Sequence, residues 1–157
     1  MDSHLALRLI HILSAAVLAG TGAGIAFFMF MAARSGNPQA IAVTARHVVL
    51  ADWLFTAPAI LVQFVTGIWL MKLLRYPFDS AWFMAVISLF IFVGCCWIPV
   101  VFIQYRLKSI AAAHAHGDFP VERFGKLMRL WTALGIPAFA AVLILFWLMV
   151  YKPLPLG

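Results

Sequence analysis

The chain has 157 residues, of which 66% are apolar and only 10% are charged, and its mean hydropathy is +1.05. A soluble domain of this length has too little interior to hide so much apolar surface, so a water-soluble protein is excluded. The net charge of +6 would suggest nucleic acid in a soluble protein. Here we expect the lipid bilayer as the partner, and no nucleic acid.

Four long stretches contain no Asp, Glu, Lys or Arg. A spanning helix needs roughly 20 apolar residues, and each stretch meets that requirement. They predict an all-α integral membrane four-helix bundle that forms one domain over residues 1–157, with spans at about 7–33, 50–72, 80–106 and 129–151. The uncharged stretches are Leu9–Ala33, Trp53–Met71, Ser80–Tyr105 and Leu130–Tyr151.

The first span carries an imidazole and a stripe of small residues. His11 lies about two turns inside the span, above small residues, and this arrangement could admit a flat apolar cofactor such as haem, with His11 as an axial ligand. The alternative is a histidine near the headgroups that hydrogen-bonds to water or to a carbonyl. On the opposite face Ala16, Gly20 and Gly24 recur every fourth residue. This stripe allows close helix packing inside the bundle, in a homodimer or with a partner membrane protein.

The second helix is predicted to begin at Pro38, because Asn37 and Pro38 are typical of an N-cap and a first turn. It would then run ~15 residues before it reaches hydrocarbon. Asp118 to Glu122 repeat this pattern ahead of the fourth helix. Helices two and four are therefore expected to extend beyond the membrane on the cytoplasmic side.

A polar seam is predicted on the second helix, on one face of a regular helical wheel. Asp52 could be a proton carrier, a cation ligand or the counter-ion of a nearby arginine. The alternative is a salt-bridged aspartate with interhelical hydrogen bonds from the other seam residues. The single prolines of the last three spans are Pro58, Pro99 and Pro137, and Pro58 lies within the seam. The seam consists of Asp52, Thr56, Gln63 and Thr66.

A haem ligated by both His11 and His47 is not expected. With span centres near residues 21 and 62 and a rise of ~1.5 Å per residue, His11 lies ~15 Å outward of the midplane and His47 ~22 Å inward. One iron cannot reach both residues. The second ligand of a haem at His11 is therefore unidentified.

The remaining histidines and cysteines predict no metal site. Cys95 and Cys96 are neighbours on a helix and point in directions ~100° apart, which favours free cysteine. His114 and His116 lie in a basic connection, and two histidines alone are a weak indication of a metal. No nucleophile with its base, phosphate loop or zinc motif is present, so catalytic residues stay unknown.

Lys and Arg are distributed unevenly between the two sides of the predicted bundle, and this distribution predicts orientation. Seven lie on the side of the first and third connections, and four lie on the other. We therefore expect an N-out and C-out, multi-pass protein of the bacterial inner membrane. The seven are Arg34, Arg46, Arg106, Lys108, Arg123, Lys126 and Arg129, and the four are Arg8, Lys72, Arg75 and Lys152.

Several sequence segments resemble a bacterial family of predicted four-helix integral membrane proteins that is catalogued as a domain of unknown function. The resemblance covers essentially the whole chain and implies the fold rather than an activity. The segments are Leu9 to Leu13, Ala45 to Trp53, Pro58 to Leu70, and Lys152 with Pro153.

The layout more distantly resembles the HemJ type of protoporphyrinogen oxidase and the copper-resistance D type of membrane domain. In the HemJ type an early first-helix histidine is associated with haem b, and His11 matches it, while Pro58 and the run from Gly67 to Leu70 match the second helix. The family's lysine on helix three is here Val86, and its Asn-Glu pair is here Leu134-Gly135. The resemblance therefore implies a haem-binding scaffold without the charged groups expected for oxidising a porphyrinogen.

Three functions follow from these features. The first is a membrane protein that binds haem b at His11 and handles electrons or haem. The second is a transporter or ion-coupled accessory subunit that uses the polar seam. The third is a non-catalytic partner subunit that docks through the small-residue stripe.

Overall fold

The computed structural model describes residues 3–152, and within that range every regular element is helical. Four helical rods are long and apolar enough to cross a membrane: His4–Ser35, Pro38–Leu73, Ala81–Ala113 and Val121–Tyr151. The predicted all-helical fold with four membrane-length helices is confirmed. The elements are α1 (Ser3–Ser35), α2 (Pro38–Ala51), a π-helical segment (Asp52–Thr56), α3 (Ala57–Leu73), α4 (Ala81–Ala113) and α5 (Val121–Tyr151).

The start of α2 follows the predicted capping pattern. The Asn37 side chain accepts hydrogen bonds from the backbone N–H groups of Gln39 at 3.0 Å and Ala40 at 3.2 Å. Pro38 occupies the first turn, where its missing N–H costs nothing. These contacts fix the reversal of the chain between α1 and α2.

The predicted cap of the fourth span is wrong. The residue before α5 is Pro120, which makes no side-chain capping bond, and Asp118 lies two residues further out. An aromatic pair takes over, because Phe119 contacts Phe124 with ring centroids 5.1 Å apart. These rings flank the first turn of α5 and fix the entry angle of the chain as a hydrophobic staple.

The rods pack in a consistent order around the bundle. α1 lies against α3 and α2, α4 lies against α5 and α2, and α1 also contacts α5. We call the end with the first and third connections, residues 36–37 and 114–120, the basic end. The end with the second connection, residues 74–80, is the opposite end.

The apolar core is concentrated in the basic half of the bundle. Met29 and Leu107 are its most deeply buried large side chains, at 2% and 0% exposed. A smaller cluster of Met71, Trp82 and Leu148 closes the opposite end, where the Trp82 indole N–H donates to the Leu148 carbonyl at 2.9 Å. Two polar groups of side chains lie on the helices between these apolar clusters.

The outer surface of the spans is apolar. Phe27, Phe28, Leu61 and Phe102 are each at least 60% exposed. A soluble monomer does not present large apolar side chains on all its helices, whereas hydrocarbon solvates them. At the basic end of the spans, the Trp53 indole N–H donates to the Tyr105 hydroxyl at 2.8 Å, as expected of an interfacial aromatic pair.

Candidate functional site

A closed polar network joins α1 to α3, and we call it the His11 network. Nδ1 of His11 lies 2.8 Å from the Thr66 hydroxyl, and Nε2 lies 3.0 Å from the Gln63 side-chain nitrogen. The Ser14 hydroxyl donates to the Gln63 side-chain oxygen at 2.6 Å. Each of these side chains therefore has a partner on the facing helix, which meets the requirement that polar groups in hydrocarbon bond within the protein.

The bonds of Thr66 assign the tautomer of His11. The Thr66 hydroxyl donates its one hydrogen to the Val62 carbonyl at 2.5 Å, so it accepts from His11, and Nδ1 carries a hydrogen. Nε2 then accepts from the Gln63 amide. The imidazole is neutral in this arrangement, and its Nε2 lone pair is directed at the Gln63 amide, whose oxygen accepts from Ser14.

The imidazole lies directly against the backbone of α3 at Gly67. A Cβ atom at this position would lie 3.3 Å from Cε1 of His11. A side chain there would push the ring away from Gln63 and Thr66, so glycine permits the close approach that the network needs.

A second polar group of side chains lies between the π-helical segment and α4, and we call it the Asp52 cluster. Asp52 and Thr56 are each 5% exposed and Gln104 is 4% exposed. The polar side chains beside the Asp52 carboxylate are those of Thr56, Gln104 and Trp97. Within the described residues, Asp52 Oδ2, Thr56 Oγ1, Gln104 Oε1 and the Trp97 indole nitrogen make no hydrogen bond of good geometry.

No positively charged side chain of residues 3–152 is among the neighbours of the Asp52 carboxylate. The three arginines that the sequence offered as counter-ions, Arg34, Arg46 and Arg106, are all exposed. The salt-bridged alternative therefore has no partner in the described part of the chain. Asp52 is a buried carboxylate whose polar neighbours are a hydroxyl, an amide and an indole.

The π-helical segment begins at Asp52 and joins α2 to α3. Pro58 follows it closely and lacks the N–H that would bond to the Leu54 carbonyl in a regular helix. The chain instead forms a wider turn, in which the Ala57 N–H bonds to the Asp52 carbonyl. π-helical turns of this kind occur frequently at functional sites.

The four seam residues lie in two places rather than along one line. Asp52 and Thr56 lie beside α4, whereas Gln63 and Thr66 bond to α1. The wheel assumed uniform helical rotation, and the π-helical segment that contains Asp52 and Thr56 changes the rotation of α3 relative to α2. The functional use of the four residues stays a prediction.

His11 lies deeper along the second rod than expected. Its bonds place it level with residues 63–67, while the sequence estimate placed it near residue 72. His47, which is exposed, lies about 18 residues further along, a separation of about 27 Å at ~1.5 Å per residue. One iron still cannot reach both histidines.

A family comparison covers almost the entire chain. Residues 5–153 match the family described as "Predicted integral membrane protein (DUF2269)". The chain belongs to this family. No curated protein and no solved structure matches it, so the resemblance of this DUF2269 protein to HemJ-type and copper-resistance D proteins stays a prediction.

The side chains that complete both polar groups were not identified from the sequence. Ser14 and Gln104 are isolated polar residues in apolar stretches, and nothing in their spacing indicates which helix they face. Trp97 lies far from either end of its span, whereas tryptophan favours the ends. This unusual position indicated a role inside the DUF2269 bundle. The structure places it beside Asp52.

Other candidate residues of the DUF2269 chain lie outside these groups. Ala16 and Gly20 are exposed, and nothing lies within 4 Å of a Cβ built at Gly20 or Gly24. Use of this stripe by a partner stays a prediction. Within the described residues, no group of three or more His, Cys, Asp or Glu side chains could hold a metal ion.

We expect Gly67→Ala to destabilise the protein relative to Gly94→Ala. Both changes gain the same helix propensity, but a Cβ at Gly94 meets nothing within 4 Å, whereas one at Gly67 meets the His11 ring. The difference should be about 1 kcal/mol in free energy of unfolding, measured by steric trapping in detergent. In a His11→Ala background, Gly67→Ala and Gly94→Ala should have equal effects on the free energy of unfolding, because the ring is absent. Equal effects of the two changes in the presence of His11 would contradict the proposed contact.

Proposed function

We propose that this protein is an ion-coupled membrane transporter in which Asp52 binds and releases a monovalent cation or a proton. The observation that carries the proposal is the buried carboxylate, whose neighbouring Thr56 and Gln104 also present oxygen atoms without partners. An ionisable residue within a spanning segment is a functional hypothesis by default. This is the second of the functions that the sequence suggested.

The chemistry of the cluster favours a small ion. A carboxylate that leaves water without a partner costs several kcal/mol, and a proton or a cation at Asp52 removes that cost. Carboxylate, hydroxyl and amide oxygens are the ligands that hard cations prefer. A single negative charge matches a single positive charge, so we expect a monovalent cation or a proton.

The backbone around Asp52 supports a site that opens and closes. The π-helical segment interrupts one lining helix, and Pro99, between Trp97 and Gln104, removes a backbone bond from the other. The His11 network lies eleven residues further along at Gln63, about 16 Å at ~1.5 Å per residue. Polar side chains at two depths of one rod support a route along α3.

We expect Asp52→Asn to lower ion flux in proteoliposomes to the level of protein-free vesicles, because the isosteric amide cannot bind a proton or neutralise a cation. Flux is measured with an internal pH dye and an internal sodium dye under an imposed potential. Thr56→Val and Gln104→Leu should slow the same flux while retaining the carboxylate. Asp79→Asn, in an exposed connection, is the matched control. Wild-type flux through Asp52→Asn would exclude this function.

We also propose haem b binding at His11 as a second candidate. The supporting observation is the tautomer, in which Nδ1–H is held by Thr66 and Nε2 presents its lone pair, as in histidines that ligate a metal through Nε2. His11 would hold the haem through Nε2, and the Gln63 side chain that now bonds to this nitrogen would move aside. When bound, haem would supply one-electron chemistry, and the chain would hold and orient the His11 ring.

The haem candidate predicts a Soret band in protein purified in mild detergent from haem-replete cells. His11→Ala should abolish the band, and His47→Ala should leave it intact. Gln63→Leu, which frees Nε2, should preserve or strengthen it. A band that persists in His11→Ala, or no band in the wild type, would exclude haem at this residue.

We infer that the protein lies in the bacterial inner membrane with the basic end in the cytoplasm. Seven Lys and Arg residues at this end against four at the other support the orientation, and α2 and α5 would then extend on the cytoplasmic side.

This orientation predicts that alkaline phosphatase fused after residue 152 is active in a bacterial host, because that enzyme folds only outside the cytoplasm. A fusion within residues 114–118 should be inactive. The reverse pattern would invert the orientation without affecting either candidate function.

A further inference from the structure

A cavity of about 600 Å³ lies between α4 and α5 at the basic end, and we call it the basic cavity. Three cationic side chains line it, and no acidic side chain is among its lining residues. Ser109 adds a hydroxyl, and two apolar side chains complete the wall. The lining consists of Arg106, Ser109 and Ile110 from α4 and Arg123, Lys126 and Leu127 from α5.

The regular spacing on the two helices brings these cations together. Arg106 lies one turn before Ser109 and Ile110, and Arg123 lies one turn before Lys126 and Leu127, so each set shares a helix face. A neighbouring cavity of about 410 Å³ shares Arg123 and Lys126 but also includes Glu122. The basic cavity is therefore the one whose charge is purely positive.

The cavity lies just beyond the uncharged stretches, where the phospholipid headgroups are expected. Arg106 directly follows the last residue of one uncharged stretch, Tyr105, and Arg129, one turn beyond Lys126, immediately precedes another. The Trp53 and Tyr105 pair marks the same boundary. Ile110 and Leu127 provide apolar surface beside the cations, which suits a ligand that carries both a phosphate and hydrocarbon.

We propose that the basic cavity binds a phosphate group at the membrane surface, supplied by the headgroup of an anionic phospholipid. Arginine forms bidentate hydrogen bonds with phosphate oxygens and lysine contributes a point charge. Basic pockets between spanning helices bind anionic headgroups in this way. The proposal is independent of the ion site, since the Asp52 cluster shares no residue with this cavity.

The test measures lipid binding by the intact chain in zwitterionic phosphatidylcholine micelles, titrated with phosphatidylglycerol. We expect the triple variant Arg106→Gln, Arg123→Gln, Lys126→Gln to bind at least about tenfold more weakly, because it loses the charge-assisted hydrogen bonds to the phosphate. The matched control removes the same charge from the same end outside the cavity, through Arg34→Gln, Arg46→Gln and Arg129→Gln. It should retain most of the affinity.

The source of the phosphate is decided by a second arm, in which soluble glycerol phosphate competes with phosphatidylglycerol. Lipid binding that glycerol phosphate does not displace confirms a headgroup site. Displacement at comparable concentrations confirms the phosphate site and assigns it to a soluble ligand. Equal losses in the triple variant and its control, or full binding by the triple variant, would overturn the proposal. Unchanged thermal unfolding of both variants ensures that a loss reflects the site.

Discussion

A charged carboxylate inside hydrocarbon needs a neutralising partner, and the interior of this bundle places only a hydroxyl, an amide and an indole beside Asp52. Thr56, Gln104 and Trp97 are all neutral, so the described side chains leave the charge of Asp52 uncompensated. A charged carboxylate in such surroundings costs several kcal/mol unless it is neutralised. The apolar core on the basic side and the small cluster at the opposite end enclose the polar side chains, so the charge of Asp52 is buried between two apolar regions.

The His11 network differs from the surroundings of Asp52, because its polar side chains have partners. There each polar atom bonds to the facing helix, and Gly67 lets the ring approach the backbone closely enough to do so. The same bundle can therefore satisfy polar groups within its spans. The Asp52 cluster, on a rod interrupted by a π-helical turn, instead keeps several buried polar atoms without a hydrogen bond of good geometry.

Much of the architecture could be predicted from the sequence because hydrocarbon imposes a length and a composition on each span. The Asn37 cap was also predictable, since its geometry involves only adjacent residues. The start of α5 was not, because the staple of Phe119 on Phe124 replaced the expected cap. For the site, individual residues such as His11 and Asp52 stood out by chemistry alone. Their partners could not be assigned, because isolated polar residues such as Ser14 and Gln104 do not reveal which helix they face.

The amino-acid sequence by itself determined that this is a helical membrane protein with four spans, because mean composition and the spacing of charges decide what can dissolve in lipid. Only the tertiary structure decided that the predicted seam divides, with Asp52 turned toward α4 and Gln63 toward α1. The physical reason is rotation: Pro58 forces a wider helical turn between them, and a helical wheel cannot represent a change of pitch. The His11 network and the Asp52 cluster differ because different helices meet at the two places, and packing decides which helices meet.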